Sequence, residues 1–363
     1  MNKKMASFIS VENINTERKN KMIDKIITIG FIGNGKSANR YHMPYILTRK
    51  DKFKVKTMYS PETSSIWAPI EGVTYTDKLD DLLKDPEIDL VIVSVPAGAH
   101  YECAKAAIEA GKNCVVEKPF VEETAQAKEL FALAKEKGVM LQAYQNRRFD
   151  SDFLTVQKVI ESGKLGDLLE VESHYDYYRP YFPESVKEYS KATSYLYGHA
   201  CHTFDQIISY FGKPDKVHYD VRQLLGENRM NDYFDVDMYY GTLKVSVKSS
   251  YFRVKSRPKF VVYGKKGYFE KVSEDRQEYD LKHFYMPDHD DFGKDRVEDY
   301  GTLIYYDDEG NYHEEKVVSE NGNYAMYYDA LYETLAHGAN PLVKPEQTIL
   351  LVSMLEEGTK DLR

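Results

Sequence analysis

Cysteine, positive charge in excess of negative, and long apolar runs are all scarce in this chain, and each shortage closes a class of function. Three cysteines occur among 363 residues, Cys103, Cys114 and Cys201, each inside a periodic apolar segment. They offer no disulfide framework and suit buried, reduced thiols, so a cytoplasmic location is expected. No window reaches the roughly 20 apolar residues of a membrane span, and no membrane partner is expected. Lys and Arg number 49 against 58 Asp and Glu, a formal charge of −9. Such a surface repels a phosphate backbone, so nucleic acid is not an expected partner either. Residues 1–24 are polar and lack the apolar core and cleavage site of a signal peptide. They read as a flexible extension, with Met22 an alternative start just ahead of the first strand.

What remains is a chain long enough for two domains. The β-branched run Lys25 to Ile32 empties into Gly33-Asn34-Gly35-Lys36-Ser37-Ala38, and a helix can start over Arg40 to Leu47. This G-x-G-x-x-A spacing between strand and helix points to a dinucleotide turn. Gly33 permits the tight turn, Gly35 lets a pyrophosphate approach the backbone, and Ala38 lets the helix pack on the sheet. Backbone N–H groups of the turn, around Asn34, Lys36 and Ser37, then hold the phosphates. A second strand, Phe53 to Tyr59, ends at Ser60-Pro61-Glu62-Thr63-Ser64-Ser65 instead of at an acidic residue that would grip a ribose 2′-hydroxyl. NAD and NADP both remain open, with Ser60 leaning the choice to NADP.

Two further strands, Leu90 to Val95 and Asn113 to Val116, are joined by a helix from His100 to Ala110, which makes a βαβ unit. The first strand exits into Pro96-Ala97-Gly98-Ala99-His100, where Pro96 and the small residues let the chain approach a cofactor ribose. His100 either faces that cofactor or caps its own helix. The second strand exits into Glu117-Lys118-Pro119, and a strand exit is where α/β enzymes keep their chemistry. A helix over Glu122 to Lys137 and a strand over Val139 to Tyr144 close a Rossmann nucleotide-binding domain, residues 25–145.

From residue 146 to 363 the pattern changes to a helix at about 150–162 and then period-two strands: Val171 to Tyr178, Asp235 to Leu243, Lys244 to Phe252, Phe260 to Tyr263 and Thr302 to Tyr306. That describes an α+β domain with an open, mostly antiparallel sheet carrying helices on one side. The chain's 31 tyrosines are ascribed mostly to half-buried strand faces, and the outer face of the sheet is expected to pair subunits into a homodimer or homotetramer. Loops 180–195 and 280–300 suit either a lid or plain surface. Between them a helix runs to Gly212 and carries His199, His202 and Asp205 three residues apart. Three-residue spacing arises freely by accident and no histidine or cysteine cluster supports it, so no metal site is assigned.

Together, Gly33-x-Gly35-x-x-Ala38, Glu117-Lys118-Pro119 and His202-Thr203-Phe204-Asp205-Gln206 resemble the Gfo/Idh/MocA family of NAD(P)-dependent oxidoreductases, over nearly the whole chain beyond residue 25. Arg40-Tyr41-His42-x-Pro44 and Tyr178-Arg179-Pro180 look like an inositol dehydrogenase-like bacterial branch. The resemblance implies hydride transfer between nicotinamide C4 and a sugar, polyol or related carbonyl compound. It implies Lys118 and His202 as catalytic residues, a cis Lys118–Pro119 bond, and Glu117 and Lys118 beside the cofactor. Arg148, Tyr178 and His199 join Lys118 and His202 as substrate contacts. One departure stands out: many family members carry Asp four residues before the histidine, where this chain has Gly198. A hydrolase that keeps its NAD bound, or a cofactor-sensing regulator, are the competing readings.

Overall fold

The computed structural model describes residues 25–62, 65–181 and 189–362. The expected extension at 1–24, the hydroxyls of Thr63 and Ser64, and residues 182–188 of the 180–195 loop lie outside these residues. Among the described residues, no helix is long and apolar enough to cross a membrane.

The first sheet is built from β1 (Ile27–Ile32), β2 (Phe53–Tyr59), β3 (Thr74–Thr76), β4 (Leu90–Val93), β5 (Asn113–Val116) and β6 (Leu141–Ala143). The apolar run of β4 is buried on both faces, β2 alternates, and β3 is a short, partly exposed edge. All pair in parallel in the order β3-β2-β1-β4-β5-β6. Helices α1 (Met43–Leu47), α2 (Leu79–Leu83), α3 (His100–Glu109) and α4 (Thr124–Lys137) make the connections. The order reverses between β1 and β4, which opens a crevice beyond the carboxyl ends of those strands.

After α5 (Ser151–Glu161) comes an eight-stranded sheet built from β7 (Leu168–His174), β8 (Lys216–Arg222), β9 (Tyr233–Tyr240), β10 (Leu243–Ser250), β11 (Phe260–Gly264), β12 (Gly267–Lys271), β13 (Gly301–Tyr306) and β14 (Tyr312–Val317). Its order is β14-β13-β12-β11-β7-β10-β9-β8, antiparallel throughout except for β7 against β10. The strand expected over Val171 to Tyr178 sits earlier, at Leu168–His174, and its last residues continue as an irregular edge. There the Tyr175, Tyr177 and Arg179 amides donate to Lys248, Ser250 and Tyr251 carbonyls. Helix α5, α6 (Cys201–Phe211) and α9 (Pro345–Thr359) pack on one face around Val171, Phe204, Val245, Val247 and Leu355.

The chain then returns. Helix α8 (Ala325–His337) places Tyr327, Tyr328 and Leu331 in the core of the first sheet, so the two halves share material well past residue 145. The tyrosine surplus is also used differently from the expectation. Seven of the largest fully buried side chains are tyrosines, and none lies in a strand: Tyr45, Tyr144, Tyr195, Tyr197, Tyr324, Tyr327 and Tyr328. Each supplies ring area and one hydroxyl that must find a partner. Tyr327 donates to the Ala143 carbonyl at 3.0 Å, Tyr324 to Asp150 at 2.6 Å and Tyr197 to the Glu122 carbonyl at 2.7 Å. The Tyr327 and Tyr197 phenols stitch the second half of the chain onto the first.

Candidate active site

The crevice beyond β4 and β5 holds a cleft of about 300 Å³, lined by Lys36, Ser37, Val95, Ala97, His100, Glu117 and Lys118 from the first half. Tyr144, Asn146, Arg147, His202, Glu278 and Tyr324 complete it, with Tyr41. At the turn after β1, Gly33 has φ 115°, and a Cβ there would lie 2.4 Å from the Ser94 carbonyl oxygen. A Cβ on Gly35 would meet nothing within 4 Å, so open space lies in front of that turn. The arrangement fits a dinucleotide pyrophosphate: one glycine is demanded by the backbone and the other leaves room for the phosphates. Asn34 braces the turn, since its side-chain oxygen accepts from Asn39 at 3.0 Å. Gly33→Ala is therefore expected to lower stability by about 1–3 kcal/mol through backbone strain. It should also erase the stabilisation expected from saturating NAD or NADP, about 2.7 kcal/mol at 100 times Kd. Differential scanning fluorimetry with and without cofactor checks both, and an unchanged shift removes the turn from the cofactor site.

Two of the helices at the cleft, α1 and α6, are preceded by a π turn. Residues Ser37–His42 run into α1, and Leu196–Ala200 run into α6. A π turn inserts one residue and rotates the later part of the helix by roughly 100° relative to an unbroken α-helix. The family resemblance singles out His202, whereas His42, at the end of the first π turn, carries no signal in the helical spacing. His42 is fully buried beneath the cleft, with Nε2 3.1 Å from Glu117.

The Lys118–Pro119 bond is cis. Glu117, just inside the strand exit, is buried, which by itself would raise its carboxyl. Hydrogen bonding from His42, the Lys118 charge and the Ser37 hydroxyl overcome that and hold it at about 2. His202 is buried, and its pKa lies well below the ordinary imidazole value because of burial first and the Lys118 and Arg147 charges next. Its buried Nδ1 has no hydrogen-bond partner among the described residues. An orphaned imidazole nitrogen beside a lysine can take a hydroxyl's proton or hydrogen bond.

Not every residue singled out in the sequence reaches the cleft in a binding role. His100 lines the cleft, but its ring nitrogens face the Pro119 carbonyl at 2.8 Å and the Val95 carbonyl at 2.9 Å, so it ties two strand exits together. Pro96 lies between the lining residues Val95 and Ala97 and precedes a short 3-10 turn. Ser60 follows β2, with its amide on the Thr76 carbonyl at 3.0 Å, outside the cleft lining. Arg148 is not at the cleft. Its guanidinium grips Asp205 through two bonds of 2.8 Å and donates to the Leu342 carbonyl. In the tight 3-10 turn Asn146–Phe149, consecutive side chains point about 120° apart, so Arg147 takes the cleft position instead.

Tyr178 is 58% exposed and bridges by its backbone to Phe252, away from the cleft. His199 leaves the cleft wall for an aromatic nest of Tyr175, Tyr177, Tyr195 and Tyr251, and burial with the Lys118 charge pushes its pKa down to about 3. With Asp205 held by Arg148 and His199 by the Tyr195 carbonyl, the helix triad does not converge.

Sequence reasoning missed Glu278 and Tyr324, which arrive from α7 (Gln277–Lys282) and the start of α8 and had no local signal. Glu278 pairs with Arg147 and Lys282. Burial resists its ionisation, yet Arg147, Lys282 and Lys118 hold it well below the carboxylate range. It is thus an acidic partner near Lys118 in a chain that has Gly198 where a carboxylate was expected. Beyond the Arg147–Glu278 pair lies a second cavity of about 430 Å³ with Tyr175 and Tyr177 on its wall.

Residues 27–145 match the model of the Gfo/Idh/MocA oxidoreductase family, NAD-binding Rossmann fold, and residues 157–361 match that family's C-terminal alpha/beta domain. The oxidoreductase YhhX of Escherichia coli K12 is 47% identical over 92% of this chain and 96% of its own. A crystal structure of a probable oxidoreductase yhhX superposes with a TM-score of 0.88, covering 93% of this chain and 97% of that one. The scyllo-inositol 2-dehydrogenase (NADP(+)) IolW of Bacillus subtilis 168 is 33% identical over 93% of this chain and 95% of its own.

Proposed function

The chain belongs to the Gfo/Idh/MocA oxidoreductase family, and from that premise we propose that it transfers a hydride between nicotinamide C4 and a carbinol carbon of a sugar or inositol-like polyol. The observation that supports this most is Lys118 and His202 lining one cleft with the phosphate turn, the buried His202 Nδ1 having no hydrogen-bond partner among the described residues. A nicotinamide cofactor held by the Gly33–Ala38 turn would supply the hydride acceptor or donor. Lys118 would hydrogen-bond the reacting oxygen and stabilise its negative charge, while His202 Nδ1 would take the hydroxyl proton in oxidation or return it in reduction. Tyr144, Arg147 and Glu278 would orient the remaining hydroxyls.

NADP is proposed ahead of NAD, because β2 ends at Tyr59 and is followed by Ser60 without a carboxylate directly at that strand end, and because the IolW relative is named for NADP. The test is nicotinamide absorbance over inositols, aldoses and sugar acids, with NAD and NADP offered separately. Reduction of either cofactor supports the proposal. Silence across the panel despite tight cofactor binding ends it.

Self-association through the large sheet is also proposed. Among the described residues no helix packs on its outer face, which carries the pairs Lys244–Glu170 and Lys248–Glu172 and the adjacent rings of Tyr263 and Tyr268. Light scattering on a sizing column should give a dimer or tetramer, and a monomer at micromolar concentration rejects it.

A further inference from the structure

Three donors converge on the Glu117 carboxylate. Oε1 accepts from the Ser37 hydroxyl and from His42 Nε2 at 3.1 Å, and Oε2 accepts the Lys118 amide N–H at 2.9 Å. Ser37 belongs to the phosphate turn and Lys118 to the strand exit, so one carboxylate joins the two halves of the site. His42 is itself held by two aromatic neighbours. Its ring stacks on Tyr144 at 3.9 Å between centroids, and its Nδ1 lies 2.6 Å from the Tyr328 hydroxyl. Packing therefore sets the imidazole's orientation before Glu117 meets it.

We propose that His42 is a positioning residue for the hydride-transfer reaction: acting through Glu117, it fixes the main chain of Lys118 and couples it to the phosphate turn. The inference rests on the oxidoreductase reading above and gives a role to a side chain that does not line the cleft. A buried carboxylate that loses a donor either turns to find another or takes up a proton. A protonated carboxyl becomes a donor at one oxygen and can no longer accept on both sides. Of the other groups facing Glu117, the Ser37 hydroxyl and the Lys118 amide are already bonded to it. Tyr144, Tyr327 and Tyr328 are raised by burial, as is the Cys201 thiol at about 12, so they bring no positive charge near pH 7, and without His42 the charge that still favours the carboxylate is that of Lys118.

The test compares His42→Leu, which keeps the volume and removes both nitrogens, with His42→Gln, which keeps a donor and an acceptor. In His42→Leu the Lys118 amide should exchange with deuterium at least about tenfold faster, while the Glu117 amide, bonded to the Val93 carbonyl, keeps its protection. On a substrate from the panel, kcat should fall roughly 10- to 100-fold with KM changed less than about twofold, the cost of a small misplacement of a catalytic group. With Glu117 held at about 2, the wild type is expected to show no loss of rate from this group above pH 4. His42→Leu should gain an acidic limb between pH 4 and 6, and His42→Gln should recover most of the exchange protection and of kcat. Wild-type exchange and kcat in His42→Leu, or a His42→Gln as poor as His42→Leu, overturns the proposal. If the wild type reduces no cofactor with any substrate, the oxidoreductase reading is what fails, and the amide exchange still decides the role of His42.

Discussion

Lys118→Ala should lower cofactor-linked turnover by about 10²–10⁴-fold, the range for loss of a positioned acid–base group, while leaving the fold in place. The lysine is half-buried, so the substitution opens no core cavity. Gly33, Gly35 and the turn that would hold the pyrophosphate are untouched by it, and the thermal shift expected with the nicotinamide cofactor should persist. Loss of kcat with retained cofactor binding separates a chemical role from a structural one.

A pH profile sharpens this result. An imidazole with its ordinary value would lose proton-accepting capacity as pH falls through 6.5. His202 lies well below that value, because of burial and then the charges of Lys118 and Arg147, so it stays neutral through this window. The oxidation rate should therefore show no acidic limb near 6.5. In Lys118→Ala the second largest cause of the shift is gone, and any residual activity should begin to fall at a higher pH than in the wild type. A wild-type limb at 6.5 that disappears in His202→Asn would contradict the neutral imidazole.

The second large effect concerns stability. Arg148→Met is expected to cost about 3–5 kcal/mol, because it leaves Asp205 buried and uncompensated. The pair is 8% and 3% exposed, doubly hydrogen-bonded at 2.8 Å, and also reaches the Leu342 carbonyl and Gln347. It therefore joins the 146–149 turn, α6 and the entry to α9. Such a cost is a large fraction of the 5–15 kcal/mol typical of a folded domain. The double variant Arg148→Met with Asp205→Leu should recover most of it, since a well-packed apolar pair commonly equals a buried ion pair. Urea denaturation of wild type, single and double variants measures the coupling. A single variant within 1 kcal/mol of the wild type would mean that the pair is not buried in solution. This result also bears on function, because a substrate contact at Arg148 would appear in KM with stability unchanged.

Local chemistry decides much of this protein, and that part was legible. Apolar runs such as Leu90–Val93 can only be strands buried on both faces, and a glycine at φ 115° against a carbonyl can only be glycine. The strand–turn–helix around Gly33 to Ala38 and the placement of Lys118 at a strand exit come from residues near one another in the chain. So does a helix ending at Gly212. The tertiary structure alone decided which of two adjacent arginines faces the cleft, because a 3-10 turn separates neighbours that the sequence shows side by side. It alone brought Glu278 and Tyr324 to Lys118 from more than a hundred residues away. The π turns at Ser37–His42 and Leu196–Ala200 hid His42 and turned His199 into an aromatic nest, since they break the 3.6-residue spacing on which helix reading depends. The sequence by itself determined where a cofactor turn and a lysine must stand. Long-range packing determined which side chains surround them, because burial, charge and hydrogen-bond partners are properties of neighbours in space.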